Sequence, residues 1–230
     1  MMNSKSNQKS IIMLGASGAV GTETLNTLLQ FDDIQQLTLL GRRSISNINA
    51  NFVKQHQIDI SDSRSYQNYL TGHTSAICTL GVGEPSKVSK EDFIKIDKIA
   101  VLDFASACKK AGIRHFELLA SVGSNPKSTS FYLRTKGELI DALKALNFDR
   151  LSIFQPSMIL TPRNRYGISQ AILLKVWPFL TPLFFGKLRK YRGIPVQTLG
   201  QAMAKNIFKD GQSYEVLHWD EFYSTIIADI

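Results

Sequence analysis

Tyr132 and Lys136 stand four residues apart in a chain of 230 residues. On a helix that spacing puts both side chains on one face, one above the other. A free phenol ionises only at about pH 10, so tyrosine alone is a poor proton carrier at neutral pH. An ammonium group one turn away favours the phenolate and makes the exchange feasible. The pair can then give a proton to a carbonyl oxygen whose carbon receives hydride, or take one from an alcohol in the reverse direction. Ser121 lies upstream and offers a hydroxyl to the same oxygen, with Ser124 as the fallback. A tyrosine and a lysine at this spacing also occur as an ordinary surface pair, so this reading depends on what surrounds them.

Three glycines supply that surrounding. Gly15, Gly18 and Gly21 recur at three-residue spacing directly after the apolar run Ile11, Ile12, Met13, Leu14. A helix is expected over residues 22–31, with Leu25, Leu28 and Leu29 on one face. Between a buried strand and a helix start, each glycine has a physical role. Gly15 lets the chain turn out of the strand, Gly18 lets a pyrophosphate approach the backbone, and Gly21 lets helix and strand pack closely. Ser17, Ala19 and Val20 complete the turn, and the helix N-terminus presents unpaired N–H groups to phosphate. The plainer reading is a strand, a flexible turn and a helix with no ligand.

Arg42 and Arg43 follow the second expected strand, where an NAD site usually carries an acid for the ribose hydroxyls. Guanidinium groups suit a 2′-phosphate in charge and in forked geometry, which favours NADP(H) over NAD(H). Two solvated arginines on a loop are the alternative. Asp59 and Ile60, at the end of the third strand, are expected to border the adenine, with an ordinary loop residue the alternative for Asp59. Leu80 and Gly81 after the fourth strand, Pro156 after the sixth, and Lys136 against the nicotinamide ribose complete the expected cofactor contacts.

The elements that position these residues alternate. Strands are expected at residues 11–14, 36–40, 56–60, 75–80, 113–120 and 150–155. Helices are expected at 62–70, 89–110 and 131–146. Phe93, Ile96, Ile99, Ala100, Phe104 and Ala107 recur at helical intervals along the long central helix, which Ala111-Gly112 closes. Asn147 stops the next helix. Such alternation calls for an α/β doubly wound parallel sheet, a Rossmann fold, with helices on both faces. Beyond Pro156 the pattern weakens. A helix over 197–209, a strand near 214–217 and a helical tail from Trp219 are expected. The whole reads as one domain: a polar leader (1–10), a nucleotide-binding core (11–160) and an integrated C-terminal substrate lobe (161–230).

Composition narrows the class further. Hydrophobic residues make up 43%, normal for a soluble globular protein. The leader is polar and the apolar run behind it is too short for a signal peptide, so a cytoplasmic protein is expected. Cys78 and Cys108 fall in an expected strand and helix and read as buried free thiols. The four histidines are scattered, without metal-ligand spacing. The net charge of +8 suits an anionic cofactor. It does not suggest nucleic acid, because the basic residues are dispersed and no recognition motif appears. The one dense basic cluster, Lys187 to Arg192, follows an apolar stretch over 168–185. Lys175, Pro178 and Pro182 argue against a spanning helix there, and a peripheral membrane contact is a lesser reading than core packing or a substrate-lobe role.

The order of these features resembles the short-chain dehydrogenase/reductase superfamily. The closer likeness is to its atypical members, the oxidoreductases similar to the Tat-interacting protein. Leu39-Leu-Gly-Arg-Arg43, His115-Phe-Glu-Leu-Leu119, Tyr132-Leu-Arg-Thr-Lys-Gly-Glu138 and Phe148-Asp-Arg150 carry it, over residues 11–160. The resemblance implies NADP(H) binding and Ser121, Tyr132 and Lys136 as the catalytic set. It implies a small carbonyl or alcohol substrate and pairing of two copies through sheet-flanking helices. Two positions depart from the family. Gln155 stands where relatives often carry arginine, and Asp97 stands where many extended relatives have asparagine at the start of the long helix. Two other functions fit the same residues. One is a cofactor-binding redox sensor without robust turnover. The other is a sugar epimerase or dehydratase that retains its cofactor.

Overall fold

The computed structural model describes residues 8–161 and 184–227. β1 (Lys9–Leu14) is enclosed on both faces, with Ile11, Ile12 and Met13 wholly buried. Its side chains alternate between two cores: Ile12 and Leu14 enter one, Ile11 and Met13 the other. Burial on both sides is why this strand reads as an unbroken apolar run. The chain continues through α1 (Ala19–Leu28), β2 (Ile34–Gly41), β3 (Val53–Gln57) and β4 (Ser75–Cys78). Next come α2 (Lys90–Ile94), a π-helical turn (Lys95–Ala100) and α3 (Val101–Lys110), which together form one long helical rod. β5 (His115–Leu119), α4 (Phe131–Ala145) and β6 (Arg150–Phe154) follow. The last part holds β7 (Ile159–Leu160), β8 (Ile194–Pro195), α5 (Val196–Asn206), β9 (Tyr214–Leu217) and α6 (Trp219–Ile227).

Among the described residues, seven strands form one parallel sheet in the order β3-β2-β1-β4-β5-β6-β9. α3 and α4 cover one face through Phe104, Cys108, Leu139 and Leu143. α1, α5 and α6 cover the other through Leu25, Leu28, Leu199, Met203 and Phe222. The strand order reverses between β1 and β4, and a doubly wound sheet opens its crevice there, beyond the carboxyl ends of the strands.

Several elements differ from the sequence expectation, each for a local reason. The third strand spans Val53–Gln57, not 56–60. It is an edge strand, and Lys54, Gln55 and Gln57 leave little apolar pattern to read. The helix expected over 62–70 is two short 3-10 turns, Ser63–Ser65 and Gln67–Tyr69. Asp62 accepts from the Arg64 N–H, and the Ser65 hydroxyl donates to the Asp59 carbonyl, so side chains compete with helical bonding. The first helix begins at Ala19, within the glycine turn itself. Residues 196–227 are integrated with the core: β9 extends the sheet from β6, and α5 packs on the sheet face that α1 covers. A lobe-like feature is a ribbon in which Ile159 pairs with Ile194. Most of the leader and of the apolar stretch, including Lys175, Pro178 and Pro182, lie outside the described residues.

Candidate functional site

The glycine turn separates what the fold requires from what a ligand would require. Gly15 has a φ of +98°, and a Cβ there would lie 2.7 Å from the backbone of Thr79 and Leu80. At Gly21 a Cβ would collide with the Gly15 carbonyl. The protein's own packing therefore demands both glycines. Gly18 is different. A Cβ there would meet only the Gly15 carbonyl, at 3.3 Å, and its φ of −73° suits any residue. Gly18 lines the cleft, where the missing side chain leaves room for a group approaching from outside. No side chain caps α1, which leaves first-turn N–H groups for an anion. A dinucleotide fits this cradle. Thr79 fixes the turn: its hydroxyl donates to the Gly15 carbonyl at 3.0 Å and its N–H to the Leu14 carbonyl at 2.9 Å.

The cleft has a volume of about 310 Å³. Gly18, Ala19 and Val20 form one end, and Thr79 to Gly83 line it after β4. Leu119 and Ala120 lie on it after β5, and Ser157, Met158 and Ile159 after β6. Tyr132, Lys136 and Asp97 line it from the helices. Lys136 Nζ donates to Asp97 Oδ1 at 2.7 Å, and the Val82 N–H donates to Asp97 Oδ2, also at 2.7 Å. The two side chains are 5% and 2% exposed, so this is a buried ion pair at the edge of the cleft. Asp97 lies in the π-helical turn that interrupts the long helical rod. Such turns re-aim a side chain that regular helix would hold elsewhere.

The structure brings some expected residues together and not others. Tyr132 and Lys136 share the cleft, as their spacing on α4 predicts. The Tyr132 ring lies 5.5 Å from that of Phe93. Its hydroxyl makes no hydrogen bond to another described residue. Ser121 is half-buried beside Ala120, with its carbonyl bonded by the Ser124 N–H and hydroxyl, but neither serine side chain lines the cleft. Pro156 lies behind the wall and accepts from the Val122 N–H at 2.9 Å. Arg42 and Arg43 are exposed at the end of β2 and make no ion pair among the described residues. Arg43, Ser17 and Gly41 border a shallow groove there. Asp59 is exposed and turned back on its own loop, accepting from the Ser61 N–H at 2.9 Å, while Ile60 packs on the core. Neither borders the cleft.

Sequence reasoning passed over Thr79, Val82, Gly83, Ser157, Met158 and Ile159. Nothing in their types marks them, because the sheet's winding brings them to one place. Asp97 was legible. It stands four residues after Phe93 and three before Ala100, a lone acid on an apolar helical stripe. The basic cluster proves partly engaged. Arg189 pairs with Asp220 at 2.6 Å, and the guanidinium groups of Arg189 and Arg192 lie 5.3 and 5.0 Å from the Trp219 ring. Among the described residues no helix is long and apolar enough to cross a membrane, and no group of histidine, cysteine or acid side chains could hold a metal ion.

Comparison with known proteins agrees with this geometry. The family model described as the NAD dependent epimerase/dehydratase family matches residues 11–139. Protein HTATIP2 of Rattus norvegicus is 32% identical over 213 residues, covering 90% of this chain and 84% of that protein. The mitochondrial protein FMP52 of Meyerozyma guilliermondii is 31% identical over 172 residues, 72% of each chain. Among solved structures, MoeE5 in complex with UDP-glucuronic acid and NAD superposes with a TM-score of 0.70 at 14% identity, covering 90% of this chain and 75% of that one. A UDP-N-acetylglucosamine 4-epimerase from Methanobrevibacter ruminantium gives 0.69 at 16% identity, over 92% and 77%. At such identities the structures speak for the fold alone.

Proposed function

This chain belongs to the NAD-dependent epimerase/dehydratase family, and on that premise we propose that it is an NADP(H)-dependent oxidoreductase of a carbonyl or alcohol substrate. The observation that carries the reading is the meeting of Tyr132, Lys136 and the open Gly18 end of α1 on one cleft. When bound, the nicotinamide supplies or accepts the hydride. Gly15 to Gly21 hold the pyrophosphate, with Arg42 and Arg43 at the 2′-phosphate and Leu80 and Gly81 along the cofactor. Asp59, Ile60 and Pro156 act at most as a second layer.

Tyr132 handles the proton. In reduction its hydroxyl protonates the carbonyl oxygen as the carbon gains hydride, giving the alcohol. In oxidation the same oxygen removes the alcohol's proton. Lys136 carries three N–H donors, of which Asp97 takes one, so two remain for a ribose hydroxyl and the phenol oxygen. Asp97 keeps the ammonium at that point, and the Val82 N–H keeps Asp97 in turn. Ser121 is assigned to the substrate oxygen, reached by rotation of its half-buried side chain.

The test is Tyr132→Phe. It should lower turnover by roughly 10²–10⁴-fold while NADPH affinity stays within about twofold. Full activity in that variant would sink the mechanism. An epimerase or dehydratase is the second reading, favoured by the family match. It predicts substrate conversion without net NADPH consumption, whereas the first predicts one NADPH consumed per carbonyl reduced.

A further inference from the structure

A second recess lies on the other side of Tyr132. It has a volume of about 230 Å³ and is lined by Pro85, Val88, Phe93, Phe131, Ser89, Lys90 and Tyr132. Tyr132 therefore lines both this recess and the cofactor cleft. Four walls are apolar, and the Phe93 ring stands 5.7 Å from that of Phe131 and 5.5 Å from that of Tyr132, both tilted.

The polar inventory decides what can enter. The Ser89 hydroxyl is engaged, accepting from the Asp92 N–H at 3.0 Å and donating to Asp92 Oδ2 at 2.8 Å. The Lys90 ammonium lies 5.5 Å from the Phe131 ring centroid at the exposed rim. The phenol of Tyr132 is the one neutral side-chain donor in these walls without a hydrogen bond to a described residue. A sugar placed here would bury several hydroxyls against carbon, without partners. A compound with one carbonyl oxygen and an apolar body would satisfy every wall. The volume suits a ring: an apolar cavity of about 150 Å³ holds a benzene molecule.

We infer that this recess is the substrate's side-group site, and that the substrate is an aryl or branched-alkyl ketone or aldehyde whose oxygen meets the Tyr132 hydroxyl. The assignment rests on the reading of Tyr132 as proton donor. It deepens that reading by moving the substrate class away from nucleotide sugars. The rings of Phe93 and Phe131 set specificity, and Tyr132 joins the two compartments.

The experiment is a fluorine NMR titration of the full-length protein with para-fluoroacetophenone, with and without NADP+, which cannot donate hydride, so that binding is read without turnover. The wild type should show saturable broadening of the probe. Val88→Trp fills the recess without touching the cleft and should weaken binding by roughly tenfold or more, while NADPH affinity is retained. Pro85→Trp, at an exposed position, makes the same test if the first variant does not fold. Tyr132→Phe keeps the ring but removes the donor and should weaken binding by roughly 2–12-fold, and unchanged binding would overturn the contact between the probe oxygen and the phenol. Excess UDP-glucose should not displace the probe. No saturable binding to wild type, equal binding to both tryptophan variants, or displacement by UDP-glucose would each overturn the assignment. The two readings fail separately. Probe binding without reduction of any carbonyl removes the proposed reaction and leaves the site. Reduction of small carbonyls without probe binding removes the site and leaves the reaction.

Discussion

Two clusters of buried polar side chains lie toward opposite ends of the same strands. At the carboxyl ends, Asp97 and Lys136 pair beside the cleft. Toward the amino ends, Arg150, Glu117, Ser152 and His115 meet Asn206 of α5 and Glu215 of β9. Arg150 donates to Glu215 Oε1, to Asn206 Oδ1 and to the carbonyls of Asn206 and Lys209. Its donors face inward and tie β9 and α5 to the sheet. Lys136 has one such bond and an open cleft before it. Burial of charge is common to both clusters. Donor capacity left facing open space belongs to the first, and that is the better mark of a working site.

The protonation states sharpen the contrast. Burial pushes the Glu117 carboxyl well above the usual range and pushes His115 down to about 3. Both shifts favour the uncharged form of the group, and the two side chains approach to 3.7 Å. Glu117 Oε2 has no partner among the described residues. The second cluster is a hydrogen-bonded network anchored by one arginine–carboxylate pair, built for cohesion.

Removing the cation from each cluster gives the largest expected effects. Lys136→Met should destabilise the fold by about 3–5 kcal/mol, because it leaves the buried Asp97 carboxylate without its cation, and Arg150→Met by less, because its partner Glu215 is only partly buried and keeps the Ser152 hydroxyl. Chemical denaturation checks this. NADPH titration of the folded variants then divides them: Lys136→Met should bind weakly and turn over nothing, and Arg150→Met should bind as wild type to within about twofold. Equal loss of cofactor affinity in both would break the division.

Asp97→Asn should come next. It keeps an acceptor for the Val82 N–H but leaves the Lys136 ammonium buried without its counter-charge. A loss of about 1–3 kcal/mol is expected by denaturation, with a fall in turnover. Unchanged stability and turnover would mean that Asp97 does not hold Lys136.

The smallest effect is on the pH dependence of stability. His115 ionises at about 3 when folded against 6.5 in a free chain, so its contribution is complete above pH 6.5 and is lost as pH falls toward 3. Glu117 is raised from 4.5, so its contribution is complete below pH 4.5 and is lost as pH rises. Above pH 4.5 the two slopes oppose, His115 adding stability as pH rises toward 6.5 and Glu117 losing it. Glu117→Gln should flatten the alkaline side by up to about 1.4 kcal/mol per pH unit. An unaltered alkaline limb would mean that Glu117 is ionised in the fold.

The two regions also differed in how readable they were. Gly15 to Gly21 and the Tyr132–Lys136 spacing are local patterns, and local patterns survive in a sequence. The inner strands were legible because burial on both faces makes them continuously apolar. β3 was misplaced because an edge strand lacks that pressure. The β7–β8 ribbon went unread because its pairing joins Ile159 to Ile194 across a long separation. The Arg150 network was invisible for the same reason: Arg150 and Asn206 meet only because β9 and α5 return to the sheet. Asp97 stood between these cases. Its place on an apolar stripe was visible, but its partner and the π-helical turn that aims it were not.

The central claim is that the cleft beside Asp97 and Lys136 holds a dinucleotide that Arg42 and Arg43 select. Titration of the purified protein with NADPH and with NADH, followed by nicotinamide fluorescence, tests it most directly. Saturable binding with NADPH the tighter ligand is predicted, and Arg42→Ala should weaken NADPH by about 1.5–3 kcal/mol more than NADH. Folded protein that binds neither cofactor would contradict the account and return Tyr132 and Lys136 to an ordinary pair on a helix.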